Sequence, residues 1–571
     1  MEVLLKMYLK KTTRKFDDRV YLSIADGFHD PHKKHTRTRT VQSLGFLDEL
    51  QKQYPDPIAH FKQVINEMNK EKGSNSVSLD LDLSSVLAEG DSAKLLGYAP
   101  LSKIFHELEL DTFYVNRQRN LSIDYSLNNI VKLLVFERIL NPGSKKRAFE
   151  NKEKYFENTD FSLDDVYHSL DIINRHKNAL QQWIFSHIPN RNTELVYYDV
   201  TNYYFEIDEQ DELRRKGVSK EHRPDPIVQM GLFMDSEGIP ISYNLFPGNT
   251  NDCETLIPQM KDLRRDFGIG RVIVVADKGL NTARNCYFNI HNLKNGYVFS
   301  QTVRGGHAEL KEYVLNGNDY RVTEDGFKIK SRVYPREIEL ESAQGGKFKT
   351  RIDEKQVIFY SPDYDKKAKV DRAAAVAKAF QLVKNPSQFK RATSYGAAKY
   401  VKNLEFDPKT GEILTAKHRP IFDEAKLREE EKWDGYYAIV TSELSKSDDW
   451  VIDTYRGLWK IEESFKVTKS DLQTRPVYVT REDHIQAHFL ICFIALVMLR
   501  LLQKRLQGGF SVTQIIQSLN KSVCVHMTEN LYLLRFRDEV INAVNEQMHI
   551  DLTKKIMRTG EIKNIFANVK K

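Results

Sequence analysis

The feature that most restricts the fold is an apolar strand pattern that contains one carboxylate. Residues 194–206, ELVYYDVTNYYFE, place apolar or aromatic side chains on both alternating faces, as in a central strand covered on both sides. Asp199 lies inside this run. Burying a carboxylate costs free energy unless the group opens onto a site or has a partner. The run therefore predicts a layered α/β core with a functional carboxylate at Asp199.

The segment that follows predicts further parts of the same sheet. The predicted elements are strands at 226–235 and 240–247, a helix at 252–266, and strands at 272–276 and 296–300. The strand at 272–276 consists of five apolar residues and is followed directly by Asp277. A buried strand that ends in this way places the carboxylate at the carboxyl edge of the sheet, where sites in such sheets lie. Asp277 is therefore a second candidate site residue.

A third informative stretch is YRGLWKIEESFKVTK, residues 455–469, which predicts one helix because it has no Pro and its apolar residues recur at three- and four-residue spacing. Tyr455, Glu462 and Lys469 are seven residues apart, so they fall about 20° short of two turns and stack along one stripe. Such a stripe is typical of an exposed face with an ordinary ion-pair pattern. Glu462, however, lies on a semi-apolar side, where a carboxylate is costly without a metal or a cation.

The stretch resembles the YREK signature (Tyr, two residues, Arg, three, Glu, six, Lys) of the cut-and-paste DDE transposases encoded by bacterial insertion sequences. Tyr455, Glu462 and Lys469 match in type and spacing, whereas Leu458 occupies the Arg position. The resemblance implies that Glu462 is the third metal-binding carboxylate and that Tyr455 and Lys469 contact DNA phosphates. We expect Leu458→Arg to be tolerated. The candidates for the missing cation are Arg456 and Lys460.

The order strand with Asp, hairpin, helix, strand with Asp is that of the ribonuclease H-like fold, in which the third acid lies on a later helix. The phrase ADKGLNTARN at 276–285 is similar to the second-Asp block of the transposases. The resemblance assigns Asp199, Asp277 and Glu462 as catalytic, metal-binding residues. Carboxylate oxygens suit Mg²⁺ or Mn²⁺, and two such ions about 4 Å apart serve in-line phosphoryl transfer. The alternative is two ordinary strand-end aspartates and a surface glutamate.

The chain is long enough for several domains. The predicted domains are a basic β-rich N-terminal module and connector (1–96), a helical region that can bind DNA ends (97–190), the first part of the ribonuclease H-like core (191–302), a β-rich insertion (303–445), the second part of the core (446–510) and a helical C-terminal region (511–571).

Three of these domains carry open alternatives. The basic turns at 10–15 and 33–39 are either a solvated surface or phosphate contacts that position DNA. Residues 128–156, with a turn at 141–144, form either a helix-turn-helix with a basic second helix or a plain helical hairpin. Trp433 and several Tyr residues of the insertion either hold a DNA hairpin or a displaced base, or belong to a core.

The charge balance permits nucleic-acid binding without requiring it, with 86 Lys and Arg against 79 Asp and Glu and a net charge of +7. The four cysteines show no CxxC spacing, which argues against a zinc site or a disulfide framework. The most apolar run, 489–499, is shorter than the about 20 residues that cross a bilayer, so we expect a buried helix and no membrane partner. With no export signal visible, we expect a bacterial cytoplasmic, nucleoid-associated protein.

These features together predict a DDE transposase that cuts DNA at insertion-sequence ends and joins the ends to target DNA by metal-dependent phosphoryl transfer. The expected partners are double-stranded DNA, as terminal inverted repeats and as target, and a second copy of the chain in a homodimer on DNA. Two alternatives stay open. One is a DNA-binding protein of transposase descent that no longer cuts, which Leu458 favours, and the other is a structure-specific nuclease on the same fold.

Overall fold

The structure, a computed structural model, describes residues 7–14, 16, 18–30, 35–72, 93–220, 224–342, 345–384, 396–406, 413–507, 509–528 and 530–570. Contacts divide the chain into two units. One unit is formed by Met1–Ser92 with Met527–Asn530, and the other by Ala93–His526 with Leu531–Lys571.

The first unit contains a three-stranded antiparallel sheet with a helix against one face. Its elements are β1 (Tyr8–Thr13), β2 (Val20–Asp30), β3 (His35–Phe46), α1 (Leu47–Leu50) and α2 (Pro57–Lys72). Met7, Ile24 and Ile65 form its small core, so one face of β2 is turned toward α2. The alternating strand pattern and the amphipathic helix were both visible in the sequence.

The second unit begins with a short strand and a group of helices. They are β4 (Ala93–Leu95), α3 (Ala99–Glu107), α4 (Leu110–Gln118), α5 (Leu127–Leu140), α6 (Lys145–Glu150), α7 (Leu163–Arg175) and α8 (Lys177–Ser186). Ser144 caps α6 by accepting a hydrogen bond from the Arg147 backbone N–H at 3.1 Å. Lys145 is buried, and its Nζ lies 3.2 Å from His488 Nδ1. Lys145 therefore points into the core, and the expectation that it belongs to the basic face of a DNA-recognition helix is wrong.

The elements that follow build the centre of the second unit. They are β5 (Leu195–Tyr204), β6 (Ile227–Asp235), β7 (Pro240–Pro247), α9 (Asp252–Phe267), β8 (Ile273–Ala276), α10 (Ala283–Tyr287) and β9 (Gly296–Gln301). β5, β6 and β7 pair antiparallel, whereas β8 and β9 run parallel to β5. The resulting order, β9-β8-β5-β6-β7, is that of the ribonuclease H-like fold. The predicted mixed α/β fold class is confirmed.

The insertion after β9 continues this sheet. Its elements are α11 (Ala308–Leu315), β10 (Arg321–Val322), β11 (Lys328–Glu341), β12 (Lys347–Tyr360), α12 (Pro362–Lys384), β13 (Val401–Phe406), β14 (Ile413–Phe422), α13 (Glu424–Glu431) and β15 (Tyr436–Thr441). β15 pairs antiparallel with β9, and β12, β11 and β10 follow outward. Among the described residues the sheet thus has nine strands, in the order β10-β11-β12-β15-β9-β8-β5-β6-β7. The insertion covers an edge of β9 that would otherwise expose unpaired backbone groups.

Trp433 belongs to the interior of the insertion. It is 6% exposed and lies in a small core with Ile358 and Ala438. Stacking on a displaced base requires an accessible ring face. The interpretation of Trp433 as a base-stacking residue is therefore wrong, and the alternative, a core residue, is right.

The helix predicted at 455–469 is two helices. They are α14 (Asp448–Arg456) and α15 (Trp459–Lys469), and α16 (Glu482–Arg505) follows. Between α14 and α15 the backbone makes i to i+3 hydrogen bonds, from Leu458 N to Tyr455 O and from Ile461 N to Leu458 O. A Cβ at Gly457 would collide with the Tyr197 hydroxyl, so the break allows a close approach to β5. Tyr455 therefore lies on α14, whereas Glu462 and Lys469 lie on α15.

α16 lies in the middle of the second unit. Among the described residues it is the one helix long and apolar enough to cross a membrane by length and composition, and 89% of its most apolar window is buried in the protein. It contacts α3, α5 and α7 as well as β7. The apolar run at 489–499 is therefore the interior of a core helix.

The C-terminal region mixes helices and strands. Its elements are α17 (Val512–Lys521), β16 (Val523–Thr528), β17 (Leu531–Leu534), α18 (Glu539–Met548), β18 (Ile556–Arg558) and α19 (Thr559–Asn568). The strands form a sheet in the order β18-β17-β16-β4, with Val523 opposite Leu95. The expectation of a purely helical region is wrong, because strands this short are specified by partners distant in the sequence and carry little periodicity of their own.

Candidate active site

Asp199, in the middle of β5, and Asp277, directly after the carboxyl end of β8, lie side by side on two parallel strands. In the β5–β8 pair, Tyr197 lies opposite Val275, and the two aspartates follow two residues later on their own strands. Side chains two residues apart on a strand share one face of the sheet. Both aspartates are half-buried. The two carboxylates therefore face the same side of the sheet at the place where the sequence predicted a site.

Two hydroxyl groups hold the Asp277 carboxylate. Ser300 Oγ on β9 donates to Asp277 Oδ1 at 2.7 Å, and the Tyr455 hydroxyl on α14 donates to the same oxygen at 3.2 Å. Burial, followed by the negative charges of Asp277 and Glu462, raises the pKa of Tyr455 well above its ordinary value. The Tyr455 hydroxyl is therefore a protonated donor at neutral pH. It orients the second aspartate, a role that the sequence did not suggest.

Asp199 is the more desolvated of the pair. Burial raises its pKa to about 6, while the positive charge of Lys220 and a hydrogen bond from Val200 N oppose that shift. Lys220 Nζ donates to the Val200 main-chain oxygen and lies 3.8 Å from Asp252 Oδ2. No sequence pattern pointed to Lys220, because this residue stands in the irregular segment between β5 and β6. It is a site residue found only in three dimensions.

Lys469 lies within the electrostatic reach of the same carboxylate. Its ammonium is 5.6 Å from the centre of the Tyr203 ring. Burial and the charge of Lys220 lower the pKa of Lys469 to about 8, and the charge of Asp199 acts in the opposite direction. Two cations, Lys220 and Lys469, thus flank the Asp199 side of the site.

Glu462 is near the pair but exposed to solvent in the first turn of α15. Its charge contributes to the pKa shift of Tyr455, which bonds Asp277. The next residue, Glu463, pairs instead with Arg500 Nη1 on α16 at 3.4 Å. Within the part of the chain that the structure describes, no group of three or more His, Cys, Asp or Glu side chains is close enough to hold a metal ion. The structure brings Asp199 and Asp277 together, and Glu462 remains outside bonding distance of both.

Leu458, at the position of the expected Arg, is a core residue with 5% exposure. Lys460 donates its Nζ to the Ser236 main-chain oxygen at 2.5 Å and lies 5.5 Å from the Tyr197 ring centre. Arg456 is exposed, and its Nη1 lies 3.3 Å from Asp453 Oδ1. Of the two candidates for the missing cation, Arg456 is thus the one at the surface.

A chain of hydrogen bonds links the inserted strand β11 to Asp277. Arg336 on β11 donates from Nη1 to Asn281 Oδ1 at 2.8 Å, and Asn281 Nδ2 donates to the Ser300 main-chain oxygen at 3.0 Å. Ser300 in turn holds Asp277 through its hydroxyl. Arg336 also lies 3.2 Å from Oε1 of the fully buried Glu354 on β12. The insertion therefore supports the carboxylate at the edge of the central sheet.

The residues present fit a divalent metal ion. The donors are carboxylate oxygens, which Mg²⁺ and Mn²⁺ prefer. Burial and the adjacent Asp277 both disfavour the ionised form of Asp199, and a bound cation would remove that penalty. Asp199 and Asp277 would hold the ion on the sheet, with Glu462 added from α15.

Two family models match separate segments of the chain. The N-terminal domain of the IS1634 family transposases matches residues 9–79, and the transposase DDE domain matches residues 345–498. The second segment includes Glu462 but neither aspartate. The chain is a DDE transposase, a class of enzyme that cleaves DNA and transfers strands with a divalent metal. At its N-terminus the chain is similar to the insertion-sequence transposases of the IS1634 family.

No curated protein sequence matches the chain. Two solved structures are similar in outline. The piggyBac transposase synaptic complex with hairpin DNA has 9% identity and a TM-score of 0.37, with 83% of this chain and 85% of that chain covered. The Mos1 transposase paired-end complex with the left transposon end has 12% identity and a TM-score of 0.14, with 47% of this chain and 73% of that chain covered.

Proposed function

We propose that this transposase cuts DNA at the ends of its insertion sequence and joins them to target DNA, with Asp199, Asp277 and Glu462 as the metal-binding residues. The observation that carries this proposal is the in-register pair of aspartates on the parallel strands β5 and β8, level with the carboxyl end of β8. A second support is Tyr455, whose hydroxyl bonds Asp277 and whose pKa responds to Glu462. The YREK assignment remains a prediction, because Leu458 is a core residue.

The proposed cofactor is Mg²⁺ or Mn²⁺, with two ions in the site. When bound, such ions activate the attacking water or 3′-hydroxyl and stabilise the leaving oxygen. The chain's own residues prepare the site. Ser300 and Tyr455 fix the orientation of Asp277, and Lys220 and Lys469 supply positive charge beside Asp199, where a scissile phosphate would be attracted. Arg456, exposed on α14, is a further candidate for a phosphate contact, whereas Lys460 is engaged by the β6–β7 turn.

The proposed partners are double-stranded DNA, as terminal inverted repeats and as target, and a second copy of the chain when both ends are bound. The expected location is the bacterial cytoplasm, at the nucleoid. The net charge of +7 is compatible with DNA binding, and the positive charges of Lys220 and Lys469 beside Asp199 support the same partner.

The experiment compares four variants in metal-dependent cleavage and strand transfer on DNA that contains the element's ends. We expect Asp199→Asn, Asp277→Asn and Glu462→Gln to lose both reactions by orders of magnitude while still binding end DNA, since each keeps shape and loses a ligand charge. Glu463→Gln is the matched control. It should cut, but melt at a lower temperature, because Arg500 loses its ionised partner.

The outcomes separate the proposal from its alternatives. Wild-type protein that binds ends but never cuts in Mg²⁺ or Mn²⁺ would be a non-catalytic DNA-binding protein. Cleavage without any strand-transfer product would indicate a structure-specific nuclease. Normal cutting by all four variants would refute the carboxylate assignment, and an active Glu462→Gln beside an inactive Glu463→Gln would place the third carboxylate one residue later.

A further inference from the structure

The N-terminal sheet has one face without a helix. Because side chains alternate across a strand, Leu22 and Ile24 of β2 face α2, whereas Tyr21 and Ser23 belong to the other face, which we call the open face. The register continues this face across the sheet: Lys10 lies opposite Ser23, and Ser23 opposite Ser43. The open face is therefore a defined surface that includes residues from all three strands.

The open face forms a groove of about 470 Å³. Its chemistry is that of an anion acceptor, because hydroxyl groups and cations line it and, among the described residues, no acidic side chain does. The lining residues that matter here are Lys10, Thr12, Arg14, Ser23, Thr40 and Ser43. The acidic residue of β2, Asp26, shares the helix-covered face with Ile24, is fully buried, and pairs with Arg39 at 3.3 Å.

The shape of the groove suits an elongated ligand. The central strand β2 contributes small side chains, Ser23 and Ala25, both buried between their neighbours. The flanking strands contribute longer or more exposed groups, including Lys10 and Thr12 on β1 and Thr40 on β3. The sheet is thus low at Ser23 and Ala25 of its middle strand, and the rings of Tyr21 and Phe46, whose centres are 5.0 Å apart, also line the groove and bound this low part on one side. A rod-shaped polyanion could lie on the low part with donors from both flanking strands.

The charge of the surrounding segment favours the same ligand. Residues 1–46 contain ten Lys and Arg against five Asp and Glu, a net charge of +5, while the whole chain has +7. Most of the net positive charge is therefore concentrated in the first twelfth of the chain. Hydroxyls, ammonium and guanidinium groups are the usual donors to DNA phosphates, and they fix position and register without reading sequence.

We propose that the open face of the N-terminal sheet binds the sugar–phosphate backbone of double-stranded DNA. This site is separate from the carboxylates, so it adds an anchoring surface to the proposed function without depending on them. It binds DNA by charge and hydroxyl donation, and its affinity does not depend on the base sequence.

The test measures binding of the full-length protein to a random-sequence duplex as a function of salt. The groove variant is Lys10→Gln with Arg14→Gln. The matched control is Lys11→Gln with Lys62→Gln, which removes the same charge from the opposite face of β1 and from α2. We expect the groove variant to lose about tenfold in affinity at moderate salt and to lower the salt slope by about two, as for two lost phosphate contacts. We expect the control to change affinity less than about threefold.

A second variant keeps the test decisive if the double change perturbs folding. Ser43→Glu adds a carboxylate to an exposed position of the groove and should weaken duplex binding as well, with an unchanged melting temperature. If the groove and control variants lost the same affinity for the duplex, the effect would be due to net charge alone and the proposal would be overturned. Tighter binding of a single strand of the same length, or a normal salt slope in the groove variant, would also overturn it. Loss of cutting in the carboxylate variants leaves this result unaffected.

Discussion

Leu458 shows how strongly the position of a single side chain limits substitution. The backbone of Leu458 lies next to the candidate active site, but the Leu458 side chain is buried in the main core of the second unit. The expectation that Leu458→Arg is tolerated is therefore replaced. We now expect the free energy of unfolding to fall by about 3 kcal/mol, because a guanidinium would be buried without an acceptor.

The measurement for Leu458 is urea denaturation, and Leu458→Met is the control. Met conserves volume and polarity, so it should cost less than about 1.5 kcal/mol. An Arg variant as stable as the Met variant would mean that the side chain can reach solvent, and the original expectation would stand.

Lys469 provides the prediction on phosphate contact. We expect Lys469→Ala to weaken binding to the element's ends and to lower the salt slope by about one, because one counterion-releasing charge is lost. Lys466→Ala, on the same helix and exposed, removes an equal charge away from Asp199 and should leave the slope nearly unchanged. The measurement is the affinity of both variants for end DNA as a function of salt concentration. Identical salt slopes for the two variants would exclude a specific phosphate contact by Lys469.

At the scale of elements, β11 supports Asp277 through Arg336, Asn281 and Ser300. We expect Arg336→Met to slow end cleavage about tenfold, because changing a residue that supports a metal ligand through hydrogen bonds has an effect of this size. The affinity for end DNA should be unchanged. Arg336→Lys should restore part of the rate, since the ammonium can still reach Asn281. Arg332→Met, on the same strand but bonded to Gln356, is the control.

The measurement for β11 is single-turnover cleavage at a temperature well below melting, together with end binding. A fall in melting temperature without any change of rate would restrict Arg336 to a structural role beside Glu354. A loss of end binding in Arg336→Met would show that the arginine contacts DNA itself.

The contact between α6 and α16 gives a pH-dependent prediction. Burial lowers the pKa of Lys145 to about 7. His488 is itself kept neutral by burial; its Nε2 donates to the Thr474 main-chain oxygen at 2.8 Å, so its Nδ1 accepts from Lys145. The charged groups that face Lys145 include Arg138, which lowers its pKa further, and the Cys492 thiol. The ordinary pKa of lysine is about 10.4, so the unfolded chain holds the proton more tightly than the folded chain.

Stability should therefore rise with pH between about 7 and 10, and the penalty should be fully present below pH 7. Lys145→Met removes the titrating group. We expect it to raise the melting temperature at pH 6.5, with a gain that shrinks toward pH 10. The full shift in the pKa of Lys145 corresponds to an upper bound of roughly 5 kcal/mol. If the difference in melting temperature between Lys145→Met and the wild-type protein stayed constant across this pH range, the prediction of a buried ammonium would be contradicted.

The elements that the sequence specifies locally were predictable. β5, β6 and β7, and the aspartates at 199 and 277, follow from apolar alternation and strand ends, and their observed bounds lie within two residues of the predicted ones. The break at Gly457 was not predictable, because its cause is the Tyr197 hydroxyl on β5. Lys220 reaches the site from an irregular segment, and Ser300 from a strand whose position was predicted but whose contact with Asp277 was not. Local patterns thus indicated the carboxylates, and tertiary contacts decided what surrounds them.

For the whole molecule, the proposed metal site predicts a link between ions and stability. A ligand that binds only the folded state stabilises it by mass action, by about 1.4 kcal/mol at ten times its dissociation constant. We expect Mg²⁺ or Mn²⁺ to raise the melting temperature of the wild-type protein, and Asp199→Asn to lose this response. Equal responses in both proteins would place the ion elsewhere.

The nine-stranded sheet has a consequence for how the chain is made. The outer neighbour of β9 is β15, and β9 ends at Gln301 while β15 begins at Tyr436. At translation speeds of about 5–20 residues per second, a ribosome needs roughly seven to thirty seconds to add residues 302–435. During that time the nascent chain carries a β9 edge open to pairing with other chains. Messages truncated before Tyr436 should therefore yield insoluble protein, whereas chains that extend past β15 can close the sheet on themselves.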